Sequence, residues 1–406
     1  MAYEPNEWED GLNLAPAEKL NRLEQGVAEA HRLAATYGQS GSGTLPWLVV
    51  ASNEAPDSVK ATADYVCDGN NDHEEINAAI CRATTFHSRN DKSPSDSENW
   101  GKVLLTAGRF DMPGSMECRT AVEVEGCGDL TELNARNNNG TGLIKLAEPS
   151  AHLIKLSNMF LYGNWARGGS CNGIDFDMSN SGDTHGWPSA HPDSYNTFDN
   201  LYIRGFMSKD RHGMNLHAAS TANNRGNYIE RVRIRDTSAD NLRINTSSDN
   251  TISKCALGGA AGAGLRVESG NTKVYGVKTF YCDGYGFYIA SGRHSMVGLE
   301  AQDNAVGFYL GAADASYSGL VADTSRDDGI IIASGGMSLS GFSINRRGAA
   351  RYATQSNGLR FTGAHKDVML MGRVRPTGIT NPIVGRPGAN SWMRVGDGSQ
   401  VVAVGA

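Results

Sequence analysis

A short motif, glycine or asparagine followed by apolar–any–apolar, recurs along this chain. It stands as Gly173-Ile-Asp-Phe, Gly213-Met-Asn-Leu, Asn241-Leu-Arg-Ile, Gly264-Leu-Arg-Val, Gly286-Phe-Tyr-Ile, Gly307-Phe-Tyr-Leu, Gly329-Ile-Ile-Ile and Gly358-Leu-Arg-Phe. From Asn241 onward the steps are 23, 22, 21, 22 and 29 residues. A second series, Gly276, Gly298, Gly319 and Gly341, keeps steps of 22, 21 and 22, each glycine being followed by Val277, Leu299, Leu320 or Phe342. Short alternating strands at this period make one solenoid coil per repeat, because each coil can bury its apolar edge only against the next. The fixed Leu/Asn consensus of a leucine-rich repeat is absent, and a sandwich would not hold so constant a step. The predicted fold is all-β, a parallel β-helix. Glycine, 49 of 406 residues against an average near ~7%, suits the many turns this requires. The longer steps, 28 residues from Met214 to Leu242 and 40 from Ile174 to Met214, predict loops inserted in the turns.

The chain before the repeats is organised differently. Leu20, Leu23, Val27, Ala30 and Ala34 keep the a/d spacing of a coiled-coil seam, and Pro16 suits a first helical turn. Residues 1–37 are therefore expected to form an oligomerising or anchoring helix, followed by a Gly/Ser linker over 38–45. The β-helix is expected over 46–375 and a C-terminal cap segment over 376–406. Within the β-helix, Leu48-Val-Val-Ala and Val103-Leu-Leu read as strands. Residues 72–82 read as a helix with Ile76, Ala79 and Ile80 on one face. That helix is expected to cap the open end of the coil stack, which would otherwise offer unpaired strand edges. The polar stretch 86–100 reads as an exposed loop.

The formal net charge of −7 disfavours binding of nucleic acid by general charge. No run of about 18 apolar residues predicts a membrane span, and the acidic N-terminus does not resemble a secretory signal. The seven cysteines are scattered without metal-ligand spacing, so buried reduced thiols are expected, with no metal and no cofactor. Gly258-Gly-Ala-Ala-Gly-Ala-Gly264 is glycine-rich but falls in a repeat turn with no following helix to bind phosphate.

Two segments carry a resemblance. Ala63-Asp-Tyr-Val-Cys-Asp-Gly-Asn-Asn-Asp-His-Glu-Glu-Ile-Asn-Ala-Ala-Ile80, followed by Gly101-Lys-Val-Leu-Leu-Thr-Ala-Gly-Arg-Phe110, resembles the entry of pectate-lyase-like right-handed β-helix proteins. The leader Trp8-Glu-Asp-Gly with Ala15-Pro-Ala-Glu-Lys-Leu-Asn-Arg-Leu-Glu-Gln-Gly-Val27 resembles the virion-attachment leader of phage tail and appendage proteins. Together they imply a tail-spike-like phage appendage: a homotrimer of right-handed β-helices, held to other virion proteins by its N-terminal helix. Its expected place is the virion, and its expected partner is host cell-surface polysaccharide. It either binds that glycan in adsorption or cleaves it as a depolymerase.

The repeats sort candidate residues by face. The residue between the two apolar positions of each motif points outward, giving the column Asp175, Asn215, Arg243, Arg266, Tyr288, Tyr309, Ile331 and Arg360. Tyr288, Tyr309 and Ile331, with Leu20, Leu23 and Val27 of the leader, are the subunit-interface candidates. The two tyrosines also suit sugar stacking. Turn carboxylates, including Asp283, Asp303 and Asp323, lie on successive coils, where paired glycosidase carboxylates could arise. Asp is equally favoured in turns for bonding local backbone. Tyr281 and Tyr285 flank Asp283 as a possible sugar platform. Trp187 stands with His185 and His191 in the inserted loop 183–193, where binding, subunit contact and plain loop all remain open. Asp175 and Asp177 share one strand face, able to meet a substrate, a cation or water alone.

Overall fold

The structure, a computed structural model, describes residues 47–85, 101–149, 151–179, 196–218, 226–245, 249–347, 351–396 and 401–404. The leader helix, the Gly/Ser linker, the loop 86–100 and Trp187 lie outside the described residues. The chain winds as a right-handed parallel β-helix. Each regular coil carries three short strands, as in His294–Val297, Glu300–Asn304 and Val306–Leu310. Among the described residues, the first two strands of successive coils stack into a 21-stranded sheet and the third into an 11-stranded sheet. At ~4.8 Å per strand, the eleven strands span on the order of 50 Å.

The motif read from the sequence is the third strand. Its apolar residues point inward and stack coil on coil: Ile174, Met214, Leu242, Leu265, Phe287, Phe308, Ile330 and Leu359 are in register and buried. Phe287 and Phe308 lie face to face, centroids 4.8 Å apart. Polar positions inside are also stacked: the Asn196 side-chain amide donates to Asn227, and that of Asn227 to Asn250 at 2.8 Å. Each buried amide is thus satisfied by its neighbour rather than by water.

The second glycine series is the corner between the first and second strands. Gly276, Gly298, Gly319 and Gly341 all have φ between 59° and 66°, where a side chain is strained. Earlier coils place Asn158, Asn200, Arg231 and Lys254 at the same corner, also at positive φ, and the repeat is therefore invisible there as a glycine pattern.

The N-terminal cap is the helix His73–Thr85, whose Ile76, Ala79, Ile80 and Ala83 are buried against the strands Trp47–Ala51 and Gly101–Leu105. At Gly101 a Cβ would come 2.3 Å from the Ala83 carbonyl oxygen, so only glycine admits this approach. Asp72 locks the entry: its carboxylate accepts from the backbone N–H of Gly69 at 2.9 Å and of Asp111 at 2.7 Å. Cys67, Asp72 and Glu75 bring potential ligand atoms within 4.8 Å of one another. Of these, Asp72 is bonded twice to the backbone of the turn, and burial pushes the Cys67 thiol up. All seven cysteines are free, and burial pushes the thiols of Cys171, Cys255 and Cys282 up to about 12, leaving them inert.

At the other end the coils run past the expected boundary at 375. Ile379–Val384 pairs in parallel with Gln355–Phe361, and Trp392–Gly396 with Val368–Val374. Val401–Val404 then turns antiparallel on Trp392–Gly396. Residues 376–396 thus continue the stack, and the antiparallel strand ends it.

Candidate functional site

The outward column on the eleven-stranded sheet is present in register: Asp175, Asn215, Arg243, Arg266, Tyr288, Tyr309, Ile331 and Arg360 are consecutive partners. It divides into an aromatic part and an ionisable part. In the first, Tyr288 and Tyr309 stack with centroids 4.7 Å apart, and Tyr285 meets both edge-on at 5.0 and 5.9 Å. The Arg266 guanidinium lies 4.3 Å from the Tyr288 ring centre, a cation–π contact. Tyr285, expected beside Asp283 on a turn, thus joins the column tyrosines.

Ile331 keeps its place in the column but is only 3% exposed. The expectation that it stands bare and needs a subunit to cover it is corrected. Tyr309 and Arg360 flank it in register, and Arg360 is fixed by Asp328 at 2.8 and 3.0 Å.

Of the ionisable part the sequence singled out Asp175, with Asp177 beside it, but not His217. The Asp175 Oδ1 accepts from the side-chain amides of Asn172 at 3.0 Å and Asn215 at 2.8 Å, and His217 Nε2 lies 3.5 Å from it. Burial works against this carboxylate, but His217, Asn215 and Asn172 outweigh it and hold Asp175 below the usual range. In return Asp175 raises the His217 imidazole above its ordinary value, against burial. Asn215 is 8% exposed, and its Oδ1 has no hydrogen-bond partner among the described residues. The amide cannot be turned to relieve this, since its oxygen would then face the Asp175 carboxylate. One coil on, Arg243 Nε and Nη2 reach Glu268 at 3.0 and 2.9 Å. Arg266 Nε is 2.8 Å from Asp240 and its Nη1 3.7 Å from the same Glu268. Asp177 pairs in register with His217, and His217 with Asn245.

The turn carboxylates have another job. Arg347 Nη2 sits 2.7 Å from Asp303 and its Nε 2.7 Å from Asp323. Arg351 gives its backbone N–H to Asp303 at 3.1 Å, its Nη2 to Asp283 at 2.7 Å and its Nη1 to the Tyr281 carbonyl at 3.0 Å. Arg347 and Arg351, from a later coil, thus reach back to Tyr281, Asp283, Asp303 and Asp323. These four are brought together, but as anchors for arginine. Burial lifts the Asp323 carboxyl despite Arg347 beside it.

No family model matches the chain, and no curated protein matches it. Solved structures do. The chain resembles the A-module of the Azotobacter vinelandii mannuronan C-5 epimerase AlgE6, at 14% identity and TM-score 0.51, over 81% of this chain and 94% of that one. It also resembles the enzymatically active domain of bacteriophage CBA120 tailspike protein 2, at 15% identity and TM-score 0.55, over 72% of this chain and 47% of that one. The fold is that of the right-handed β-helix proteins. The eleven-stranded sheet of this β-helix carries the tyrosines, the three arginines Arg243, Arg266 and Arg360 and the Asp175–His217 pair on one outward face.

Proposed function

We propose that the chain is a tail-spike-like phage appendage that contacts host-surface polysaccharide along its eleven-stranded sheet. Its place is the virion, with residues 1–37 joining it to other virion proteins and the working form a homotrimer. The observation that carries the glycan reading is the column itself. Three mutually packed tyrosines adjoin a line of charged and amide side chains, including a buried acceptor without a partner among the described residues. Sugars stack their apolar faces on aromatic rings and satisfy polar groups through hydroxyls. A polymer lying along the rod would meet both kinds of group in turn. The likeness in fold to a phage tailspike domain and to a module of a mannuronan-acting enzyme agrees with this reading.

Electrophoresis of the purified chain through gels containing host-surface polysaccharide tests it. Retardation is expected, and Tyr288→Ala with Tyr309→Ala should weaken it about tenfold, for a loss of about 1.4 kcal/mol. Ser316→Ala, on the other sheet, should leave it unchanged. Mobility unaffected by the polysaccharide would refute the binding surface.

A further inference from the structure

Asp72-His-Glu-Glu75 stands at the start of the cap helix His73–Thr85. Its spacing is that of a capping box, in which Glu75 would reach back to the Asp72 backbone N–H. That N–H instead donates to the Asp111 carbonyl at 3.1 Å. The Asp72 carboxylate is engaged by the backbone N–H groups of Gly69 and Asp111. Glu75 Oε2 is left buried with no hydrogen-bond partner among the described residues, a costly state for a carboxylate oxygen. The Cys67 side chain is 1% exposed, and its Sγ makes only a long contact, 3.9 Å, to the Asp72 carbonyl. We infer that Cys67, Asp72 and Glu75 form a zinc site that locks the N-terminal cap onto the first coil.

The ligand atoms of the three residues lie within 4.8 Å of one another, and no other such group of three occurs among the described residues. Tetrahedral zinc bonds thiolate at about 2.3 Å and carboxylate at about 2.0–2.2 Å, which sets its ligand atoms roughly 3.3–3.7 Å apart. Closure therefore asks for at most ~1.5 Å of movement, and the half-buried Glu75 on the first helical turn can supply it by side-chain rotation. A carboxylate has about four lone-pair sites. The two backbone bonds of Asp72 use one on each oxygen, so either oxygen can still bind a metal. Those backbone bonds then hold the ligand in orientation, as outer hydrogen bonds do at metal centres. A thiolate ligand selects zinc over calcium or magnesium, which take oxygen alone. The fourth position is open to water.

The other charged groups acting on the cluster are Asp68 from the turn and Asp111 from the strand Gly108–Asp111. Arg109 and Arg136 approach Asp111 at 3.3 and 3.6 Å. Burial, with these carboxylates, keeps the proton on the Cys67 thiol and raises the Asp72 carboxyl. As the sulfur–zinc bond forms, the thiol proton passes to solvent. One proton leaves per ion, and binding strengthens as pH rises. The site belongs to the cap and stands whether or not the eleven-stranded face binds glycan.

The full chain, reduced, free of any affinity tag and stripped with a chelator, is titrated with Zn²⁺ by calorimetry and with Co²⁺ by absorbance. Co²⁺ is the probe because a thiolate ligand gives it a charge-transfer band in the near ultraviolet. One ion per chain is expected, with about one proton released per Zn²⁺ and a raised melting temperature. Cys67→Ser should abolish the cobalt–thiolate band. Glu75→Gln leaves every thiol in place and should weaken Zn²⁺ binding at least about tenfold. Cys81→Ser removes the exposed thiol of the same helix and should leave the affinity unchanged. Absence of saturable Zn²⁺ binding overturns the site. A band that survives Cys67→Ser, or is lost in Cys81→Ser, overturns the ligand set, as does full affinity in Glu75→Gln. One ion bound without a thiolate band overturns the zinc assignment in favour of a site made of oxygens alone.

Discussion

Replacing Arg347 by alanine strips the guanidinium that bridges Asp303 and Asp323. Asp303 has a side chain only 3% exposed, and it keeps the Arg351 backbone N–H as a donor after the change. Breaking a fully buried pair costs about 3–5 kcal/mol. Arg347 itself is 43% exposed, so water can replace part of what is lost. A charged hydrogen bond is worth about 1.5–3 kcal/mol, and the expected cost is about 2–3 kcal/mol. The loss should be local, since a solenoid's coils depend mainly on their neighbours. Amide hydrogen exchange is therefore the assay. In the variant, strands Glu300–Asn304 and Val321–Ser325 should exchange about 30- to 150-fold faster at pH 7. The pH dependence has a definite sign. Burial already raises the Asp323 carboxyl, and Asp303 beside it adds to this. Without the arginine the folded variant binds protons more readily than the unfolded chain. Its stability should fall as pH rises through the raised folded value and recover on acidification. Adding Asp303→Asn should restore most of the protection. Unchanged exchange in these strands, or a cost independent of pH, would refute the anchoring role.

Further outcomes follow from the packing. Ile76→Ala should cost about 2–5 kcal/mol, and Ile76→Asp should prevent soluble folding, as read by thermal melts of purified protein. Gly298 has φ 66° and nothing within 4 Å of an added Cβ. Gly298→Val should therefore cost about 1–2 kcal/mol through backbone strain alone, while Gly298→Asn should cost less, as melting temperatures would register. Ile331→Ala should destabilise each chain by about 2–5 kcal/mol without changing the assembly mass in light scattering, because its side chain is already covered.

The third-strand ladder was legible because its Gly-apolar-any-apolar motif keeps one period, and its outward column followed from that register alone. The cap was legible because Ile76, Ala79 and Ile80 keep helical spacing. The early coils were not, since Asn158, Asn200, Arg231 and Lys254 hold a corner that later coils give to glycine. The continuation past 375 was hidden by the same loss of period. The Asp175–His217 pair joins residues 42 positions apart across an inserted loop, and the only sequence signal was the alignment of Asp175-Phe-Asp with Asn215-Leu-His at one strand end. The arginine anchors were beyond reach: Arg347 and Arg351 meet carboxylates up to 68 residues earlier, and turn aspartates look alike whether they bind backbone, sugar or arginine.

Hydrogen exchange of the full chain with and without host-surface polysaccharide tests the central claim most directly. Protection is expected at Leu242–Asn245, Leu265–Val267, Tyr285–Ile289 and Val306–Leu310, the strands that carry the column. Protection confined to the 21-stranded sheet, or absent altogether, would contradict it.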